Sequence, residues 1–291
     1  MDERQSLDAI YEWLPDAGDD AAIVDDLIFT TDMLHEQTDF PAGTTRFTAG
    51  WRAVGASLSD IAAMGAEATA AVAVYAAPSF DYDELNSFIN GAYDVCELAD
   101  SRYVGGDLDE HQEFTVVSSA IGRTDTPTLR STASVGDIVC VTGTLGRTGA
   151  ALRLFEQGDT ERANELFRFE PRVTTGKALA PHVSAMMDSS DGLARSLHQL
   201  SEASDCGFAI EWNNVPLDES VHQTATTEDE RREFGLYTGE DFELVFTVPG
   251  DRIDAVRDES PVPITSLGCV TDSEVIVDDE PLHDRGYTHG H

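Results

Sequence analysis

Aspartate is the residue type in this sequence with a clear potential for chemistry, because some aspartates sit among small or apolar neighbours. An unpaired charge in apolar surroundings is costly unless it binds something. Each such segment alone says little, because Gly-Asp turns and Ser-Asp helix caps are common. Five segments have this character: G-D-D-A-A (18–22), T-T-D (30–32), S-L-S-D-I-A-A-M-G (57–65), G-G-D (105–107) and M-D-S-S-D-G (187–192).

Asp60, in the third segment, is the most informative of these aspartates. It lies off the apolar stripe of a predicted helix, on a face lined by Ala53, Ala56, Ser57 and Met64, where a metal–phosphate cluster could approach the backbone. Several carboxylates directed at one point stay ionised only if cations lie between them. Oxygen ligands without His or Cys suit Mg²⁺, which shares its coordination with water and substrate phosphates. The pattern predicts chemistry on a polyphosphate, most simply phosphoryl transfer from ATP.

The common nucleotide-binding and catalytic signatures are missing from the sequence. Gly176-Lys177 is followed by Ala178 and lacks the upstream glycine of a G-x-x-x-x-G-K-[ST] loop, and the protein-kinase motifs do not occur. No Ser-His-Asp or Cys-His pattern is evident, and the four cysteines form no C-x-x-C pair. If the protein is a kinase, aspartates and metal ions must do the work of a phosphate-binding loop.

The charge of the chain is strongly negative. Asp and Glu total 55 against 18 Lys and Arg, Lys177 is the single lysine, and the formal net charge is −37. The acids are spread along the chain, unlike a disordered acidic tail, and no D-x-D-x-D-G calcium loop occurs. The composition predicts a solvated surface suited to molar salt, where the Debye length is ~3 Å, and it argues against nucleic-acid binding. A polar start and the lack of a long apolar run predict a cytoplasmic protein without a membrane segment.

The elements that must position the five segments alternate between strands and helices in both halves of the chain. The polar stretch 122–132 is typical of a linker. We therefore expect a two-domain α/β or α+β protein, with an N-terminal domain at 1–125 and a C-terminal domain at 131–291. Strands are predicted at 21–24, 27–31, 70–75, 114–121, 138–142, 208–212, 244–248 and 274–277, and helices at 47–66, 81–99, 148–156 and 192–204.

In this order and spacing, the motifs resemble those of the thiamine-monophosphate kinase family, within the superfamily that includes aminoimidazole ribonucleotide synthetase. The resemblance runs from Gly18 to Tyr287. The motif G-E-D-F-E-L (239–244) favours this family over its superfamily relatives. The most specific parts are S-L-S-D-I-A-A-M-G-A (57–66), G-G-D (105–107), V-T-G-T-L-G (141–146), D-S-S-D-G (188–192) and G-E-D-F-E-L (239–244).

The resemblance implies the two-domain fold of that superfamily and a homodimer formed by the N-terminal domains. It also implies transfer of a phosphoryl group from ATP to thiamine monophosphate, assisted by several Mg²⁺ ions. No general base is expected, because the acceptor phosphate is already ionised at neutral pH. By position, the magnesium ligands are Asp20, Thr30, Thr31, Asp32, Asp60, Asp107, Asp188 and Asp191; the nucleotide contacts are Gly106, Asp107, Arg130 and Ser190; and the substrate contacts are Asp39, Glu240 and Tyr287.

Two positions depart from the family pattern. Asp39 stands before Phe40 where many members have His, so either His35 substitutes from a shifted loop or Asp39 contacts the thiazolium cation directly. Leu108 follows G-G-D where Thr is more usual. Two rival functions stay open. One is another superfamily activity, such as a ribonucleotide cyclo-ligase or a selenophosphate synthetase, although the latter uses an N-terminal Cys and Lys that this chain lacks. The other is a non-catalytic binder of nucleotide or thiamine phosphate.

Overall fold

Two β-sheets organise the residues that the computed structural model describes, which are 10, 13, 14 and 17–286. The first sheet has five strands in the order β1-β2-β5-β3-β4. All of its pairings are antiparallel except that of β3 with β4. Its strands are β1 (Ala22–Val24), β2 (Leu27–His35), β3 (Glu67–Ala77), β4 (Tyr103–Glu110) and β5 (Thr115–Arg123).

Two long helices cover one face of the first sheet. They are α2 (Arg46–Ala63) and α3 (Tyr82–Leu98), and a short helix, α1 (Glu36–Asp39), precedes them. Each long helix begins at a side-chain cap that accepts backbone N–H groups: Thr45 for α2 and Asp81 for α3. Their apolar faces pack on buried residues of β3 and β5, which gives the first core.

Glycines bring α2 and α3 into backbone contact. A Cβ atom on Gly50 would lie 2.1 Å from the carbonyl oxygen of Phe88, and one on Gly91 would lie 2.0 Å from that of Phe47. Neither position can therefore hold a side chain without moving the helices apart. The axis of α2 is fixed against α3 at two points.

The other face of the first sheet is partly apolar, and several of its side chains are exposed in the part of the chain that the structure describes. Phe29 and Met33 on β2 are 42% and 52% exposed, and Val72 on β3 is 39% exposed. These side chains share one face because Thr31, between the first two, is in register with Ser119 of β5, which is in register with Val72. We call this surface, defined by Phe29, Met33 and Val72, the open face.

The second sheet has seven strands in the order β12-β11-β8-β10-β6-β9-β7. Helix α2 of the first half also contacts β7 and α6, so the two halves share this helix as a common support. The strands are β6 (Ile138–Thr142), β7 (Ala185–Asp188), β8 (Gly207–Ile210), β9 (Leu244–Val248), β10 (Ile264–Thr271), β11 (Val275–Val277) and β12 (Glu280–Pro281). The helices are α4 (Arg147–Gln157), α5 (Thr160–Phe167), α6 (Val173–Leu179), α7 (Leu193–Ser204), α8 (Glu219–Thr224), α9 (Glu228–Arg232) and α10 (Ile253–Glu259), with a π-helical turn at Glu233–Tyr237 and 3₁₀ turns at Arg130–Thr132 and Trp212–Asn214.

The predicted two-domain α/β class is confirmed, and the strands predicted at 138–142 and 244–248 coincide with β6 and β9. β4 carries no pattern that predicts a strand, because its Gly and Asp residues are depleted in strands generally. β5 extends to Arg123, into the stretch expected to be a linker. Among the described residues, no helix is long and apolar enough to cross a membrane.

Candidate active site

Three carboxylates converge between the two sheets. Asp20, Asp60 and Asp188 each offer one oxygen atom, and these atoms all lie within 4.8 Å of one another. Asp20 precedes β1, Asp60 lies near the end of α2, and Asp188 ends β7. The first two come from the N-terminal half of the chain and the third from the C-terminal half. We call these three residues the carboxylate cluster.

Hydroxyl groups fix the orientation of the carboxylate cluster. Thr30, on the buried side of β2, donates to Asp60 Oδ2 at 2.5 Å. Ser59, the neighbour of Asp60 in α2, donates to Asp188 Oδ2 at 2.6 Å. This second bond links α2 to the second sheet. The cluster therefore depends on how the two halves of the protein dock.

Burial and mutual repulsion oppose ionisation of the cluster. Burial, followed by the charges of Asp32, Asp188 and Asp20, holds the pKa of Asp60 well above its usual range. Burial and then the charge of Asp20 raise the pKa of Asp188 to about 7. Asp32 lies beside the cluster, where burial raises its pKa against a 2.6 Å hydrogen bond from Ser57. Such a site attracts cations, because a cation removes the repulsion.

Arg130 is the cationic partner of the cluster. Its Nε and Nη2 donate to the two carboxylate oxygens of Asp20 at 3.1 and 2.8 Å, and its backbone N–H donates to Asp19 at 2.8 Å. Burial opposes the charge of this guanidinium, yet the attraction of Asp20 carries the pKa of Arg130 above its ordinary value. The predicted nucleotide contact Ser190 is nearby, since its N–H donates to Asp188 Oδ1 at 3.2 Å.

One predicted magnesium ligand, Thr31, directs its side chain away from the carboxylate cluster. The Thr31 hydroxyl donates to the Ser118 carbonyl at 3.0 Å and lies on the open face, because successive strand residues point to opposite sides. The hydroxyl of Thr31 is therefore not directed at the cluster, and its assignment as a magnesium ligand stays a prediction. Asp191 follows Asp188 by three residues, its backbone packs against Gly239 and Gly286, and its assignment as a magnesium ligand stays a prediction. Tyr287, a predicted substrate contact, lies outside the described residues.

Asp107 is also remote from the cluster of its own chain. It is exposed on β4 and in register with Val74 of β3, two residues beyond Val72, so its side chain belongs to the open face. Three strand spacings, about 14 Å, separate β4 from β2 in the sheet order. The Asp107 side chain is therefore not directed at the carboxylate cluster of its own chain, and its role as a magnesium ligand stays a prediction.

A groove runs along β4 beside Asp107. It has a volume of about 370 Å³ and is lined by Gly106, Asp107 and Leu108 of β4, with Tyr75 of β3 and Phe88 of α3. A Cβ on residue 106 would meet the carbonyl of Ala73 at 1.7 Å, so this close approach of β4 to β3 requires glycine. The groove has the apolar walls and polar edge that a nucleotide base needs.

The predicted substrate contacts Asp39 and Glu240 line one pocket of about 180 Å³. Asp39 is buried and accepts hydrogen bonds from the His35 backbone N–H at 2.6 Å and the Thr38 hydroxyl at 2.9 Å. The His35 ring instead lies 3.0 Å from the Thr115 hydroxyl and does not line this pocket. Of the two alternatives left open by the sequence, the geometry favours Asp39.

The G-E-D-F-E-L motif builds the wall of this pocket. Asp241 accepts hydrogen bonds from the backbone N–H groups of Gly146 and Thr148 at 2.5 and 2.8 Å, at the start of α4. The turn V-T-G-T-L-G is thus closed by a carboxylate and does not present these N–H groups to a phosphate. Glu240 and Phe242 adopt positive φ angles of 68° and 53°, a strained conformation that non-glycine residues keep only where the surroundings enforce it.

Arg52 is a residue that the motifs do not reveal. It is 2% exposed within α2, and its Nη2 donates to Glu240 Oε2 at 2.8 Å. The sequence nevertheless contains an indication of its role. Arg52 is a charged residue within the small and apolar run 49–58, and such a residue needs a partner if the helix is buried.

The two α/β halves of the chain match the two domains of the class of AIR synthase related proteins. The N-terminal domain of that class matches residues 18–124, and its C-terminal domain matches residues 134–278.

Within this class, the chain belongs to the thiamine-monophosphate kinase family. It is 54% identical to the thiamine-monophosphate kinase of Halobacterium salinarum, over 99% of this chain and 100% of that protein. It is 38% identical to that of Methanospirillum hungatei, over 99% of both chains. The structure of AaThiL complexed with AMPPCP and TMP resembles it with a TM-score of 0.87 at 26% identity, over 99% of this chain and 97% of that chain.

Proposed function

We propose that this protein transfers the terminal phosphoryl group of ATP to thiamine monophosphate and so produces thiamine diphosphate. The observation that carries the proposal is the carboxylate cluster of Asp20, Asp60 and Asp188, in a member of a family named for this reaction that also has a pocket lined by Asp39 and Glu240. The AaThiL relative is complexed with AMPPCP, an ATP analogue, and TMP, and this supports sites for both ATP and the acceptor.

The residues of the cluster fit magnesium. Its donors are carboxylate oxygens with the Thr30 hydroxyl at hydrogen-bond distance, and neither His nor Cys belongs to it. Asp20, Asp60 and Asp188 would hold the ions, with Asp32 beside them. Bound there, Mg²⁺ supplies neutralisation of the phosphate charges that repel each other as donor and acceptor approach.

The side chains of the protein itself bind and orient the two substrates. Arg130 offers a planar fork of donors that suits phosphate oxygens, and it already lies at the cluster. Asp39 and Glu240 give the substrate pocket negative charge, which attracts the thiazolium cation of thiamine monophosphate. Ser59 and Thr30 hold their carboxylates in place before substrate arrives, so little reorganisation is needed during transfer. Holding both phosphates at one place supplies the rate advantage of proximity. The ionised acceptor oxygen attacks the γ-phosphorus in line without a general base, the bond from that phosphorus to the β,γ-bridging oxygen breaks, and ADP leaves.

The direct test is an assay of purified protein in about molar KCl, where surface repulsion is screened. ATP and thiamine monophosphate are supplied with and without Mg²⁺, and thiamine diphosphate is separated by chromatography. Product that requires Mg²⁺ and both substrates is the expected result. Folded protein that binds ATP but forms no product would overturn the proposal and favour another phosphate acceptor of the superfamily or a binding role.

We further propose that the protein is a homodimer joined through the open face. Phe29, Met33 and Val72 support this, since they form an exposed apolar surface on a sheet that is otherwise covered. Asp107 lies on the same face, away from its own cluster. In such a dimer, Asp107 and the adjacent groove serve the carboxylate cluster of the partner subunit, with the nucleotide base in the groove.

Mixing two inactive variants tests this arrangement. In a heterodimer of Asp60→Asn and Asp107→Asn chains, one site carries both defects and the other carries neither, if Asp107 acts across the interface. Activity is therefore regained on mixing and exchange of subunits. If Asp107 acts within its own chain, each site keeps one defect and no activity returns. Light scattering during size-exclusion chromatography measures the oligomeric state independently.

The remaining proposals concern domains and environment. We propose domains at 1–125 and 131–291, supported by sheets that draw their strands from 22–123 and 138–281. We also propose a cytoplasmic protein of a salt-adapted cell, supported by the net charge of −37.

A further inference from the structure

Arg52 is a buried arginine that the proposed reaction does not use directly. Its guanidinium lies 3.6 Å above the centroid of the Phe167 ring, and Nη1 donates to the Phe167 carbonyl at 2.5 Å. Nη2 donates to Glu240 Oε2 at 2.8 Å, and this is an ion pair in which the Arg52 side chain is 2% exposed. A charge buried to this degree is retained only with such partners. The ion pair therefore places Glu240 as firmly as it places Arg52.

Glu240 is the residue that needs placing. Its side chain lines the substrate pocket, while its backbone has a φ of 68°, which a residue with a side chain rarely adopts. Its backbone N–H donates to the Ser190 carbonyl at 2.6 Å. The backbone is thus fixed from the C-terminal half of the chain, and the carboxylate is fixed from α2 of the N-terminal half. A carboxylate held from two sides keeps its direction into the pocket.

Helix α2 connects this ion pair to the carboxylate cluster. Arg52 and Asp60 lie eight residues apart on α2, about 12 Å along its axis, and Ala56 between them packs with Phe169 and Phe242. α2 is held against α3 by the close contacts at Gly50 and Gly91. The distance from the substrate pocket to the cluster is therefore set by one rigid element.

We propose that Arg52 is a positioning residue for thiamine monophosphate. It holds Glu240 against the ring end of the substrate, and through α2 it sets the separation between that end and the cluster where the phosphate reacts. This inference rests on the proposed function. Arg52 acts on substrate through Glu240, which lines the acceptor pocket, and it therefore affects the phosphate acceptor rather than ATP.

The test is Arg52→Lys, which keeps the charge but cannot reach the Phe167 carbonyl and Glu240 together. The KM for thiamine monophosphate is expected to rise about ten- to a hundredfold, the factor that loss of one charged hydrogen bond produces, with the KM for ATP unchanged. The matched control is Arg46→Lys on the same helix, whose guanidinium pairs with Glu36 and Glu84 outside the pocket and whose replacement should change neither KM. Equal rises in both KM values, or none, would overturn the inference.

A double variant shows whether Arg52 acts through Glu240. If it does, Arg52→Lys with Glu240→Gln binds thiamine monophosphate no more weakly than Glu240→Gln alone, whereas independent roles give the product of the two effects. Titration calorimetry measures the affinity for thiamine monophosphate without turnover. The role of Arg52 can therefore be tested even when the wild-type protein makes no product and the proposed function fails. If Arg52→Lys does not fold, Arg52→Gln, which retains two donors without a buried charge, takes its place in both measurements.

Discussion

Replacement of Asp60 by Asn should weaken the site while sparing, or even strengthening, the metal-free fold. One carboxylate oxygen of Asp60 lies within 4.8 Å of one oxygen each of Asp20 and Asp188. Two carboxylates that are both ionised at this distance repel each other by about 3.5 kcal/mol at an effective dielectric constant of 20. Asn keeps the shape and can still accept the Thr30 hydrogen bond. We therefore expect the metal-free variant to unfold at the same temperature as the wild type or higher.

With magnesium bound, the wild type should unfold at a higher temperature than the Asp60→Asn variant. An ion at a hundred times its dissociation constant stabilises the wild type by about 2.7 kcal/mol, and the variant should lose most of this gain. Turnover should fall by a factor on the order of 10²–10³, the effect of removing one preorganised electrostatic contact in a buried site. Thermal unfolding with and without Mg²⁺ and steady-state assays measure both quantities, and Asp94→Asn on the exposed side of α3 is the control. An Asp60→Asn protein with normal turnover, or one that keeps the full response to Mg²⁺, would refute the role of the cluster.

Three further predictions follow from the site and the surface. Burial raises the pKa of Asp241 to about 7, so the folded protein binds a proton that the unfolded chain releases near pH 4; the stability due to Asp241 is present below about pH 4 and declines by up to about 4 kcal/mol as the pH rises to about 7. Urea unfolding across this pH range should therefore show wild type losing stability relative to Asp241→Asn, and parallel profiles would contradict the assignment. Asp39→Asn should raise the KM for thiamine monophosphate about tenfold or more while His35→Ala changes it little, and the reverse order in a steady-state assay would restore His35 as the substrate contact. Lowering KCl from about molar to about 0.01 M lengthens screening from ~3 to ~30 Å, so circular dichroism should report unfolding at low salt, and an unchanged spectrum and melting temperature would argue against a salt-adapted surface.

Local composition makes the carboxylate cluster predictable from the sequence. Asp20, Asp60 and Asp188 sit among small or apolar residues, and that context separates them from the many solvated acids of the chain. The helix that carries Asp60 is also evident from its apolar spacing, and α2 lies where this spacing predicts it.

Strand register, which the sequence does not reveal, decides the positions of Thr31 and Asp107. A shift of one residue moves a side chain to the other face of the sheet, and the T-T-D segment contains both orientations. β4 offers no strand pattern at all, so the place of Asp107 on the open face follows only from its pairing with β3. Arg52 is hidden for a different reason, because its partner Glu240 is 188 residues away along the chain.

The glycine contacts between α2 and α3 limit which mutations this sequence can accept during evolution. Gly50 and Gly91 lie in a helix pair and touch no part of the substrate pocket, yet the smallest addition, a methyl group, would collide with a carbonyl oxygen. The collision would displace the helix that bears both Arg52 and Asp60. Gly50 and Gly91 are therefore expected to be under the same selection as the residues of the site, although they lie outside the substrate pocket. Random mutagenesis scored by activity should find these two glycines as intolerant of substitution as the aspartates of the cluster.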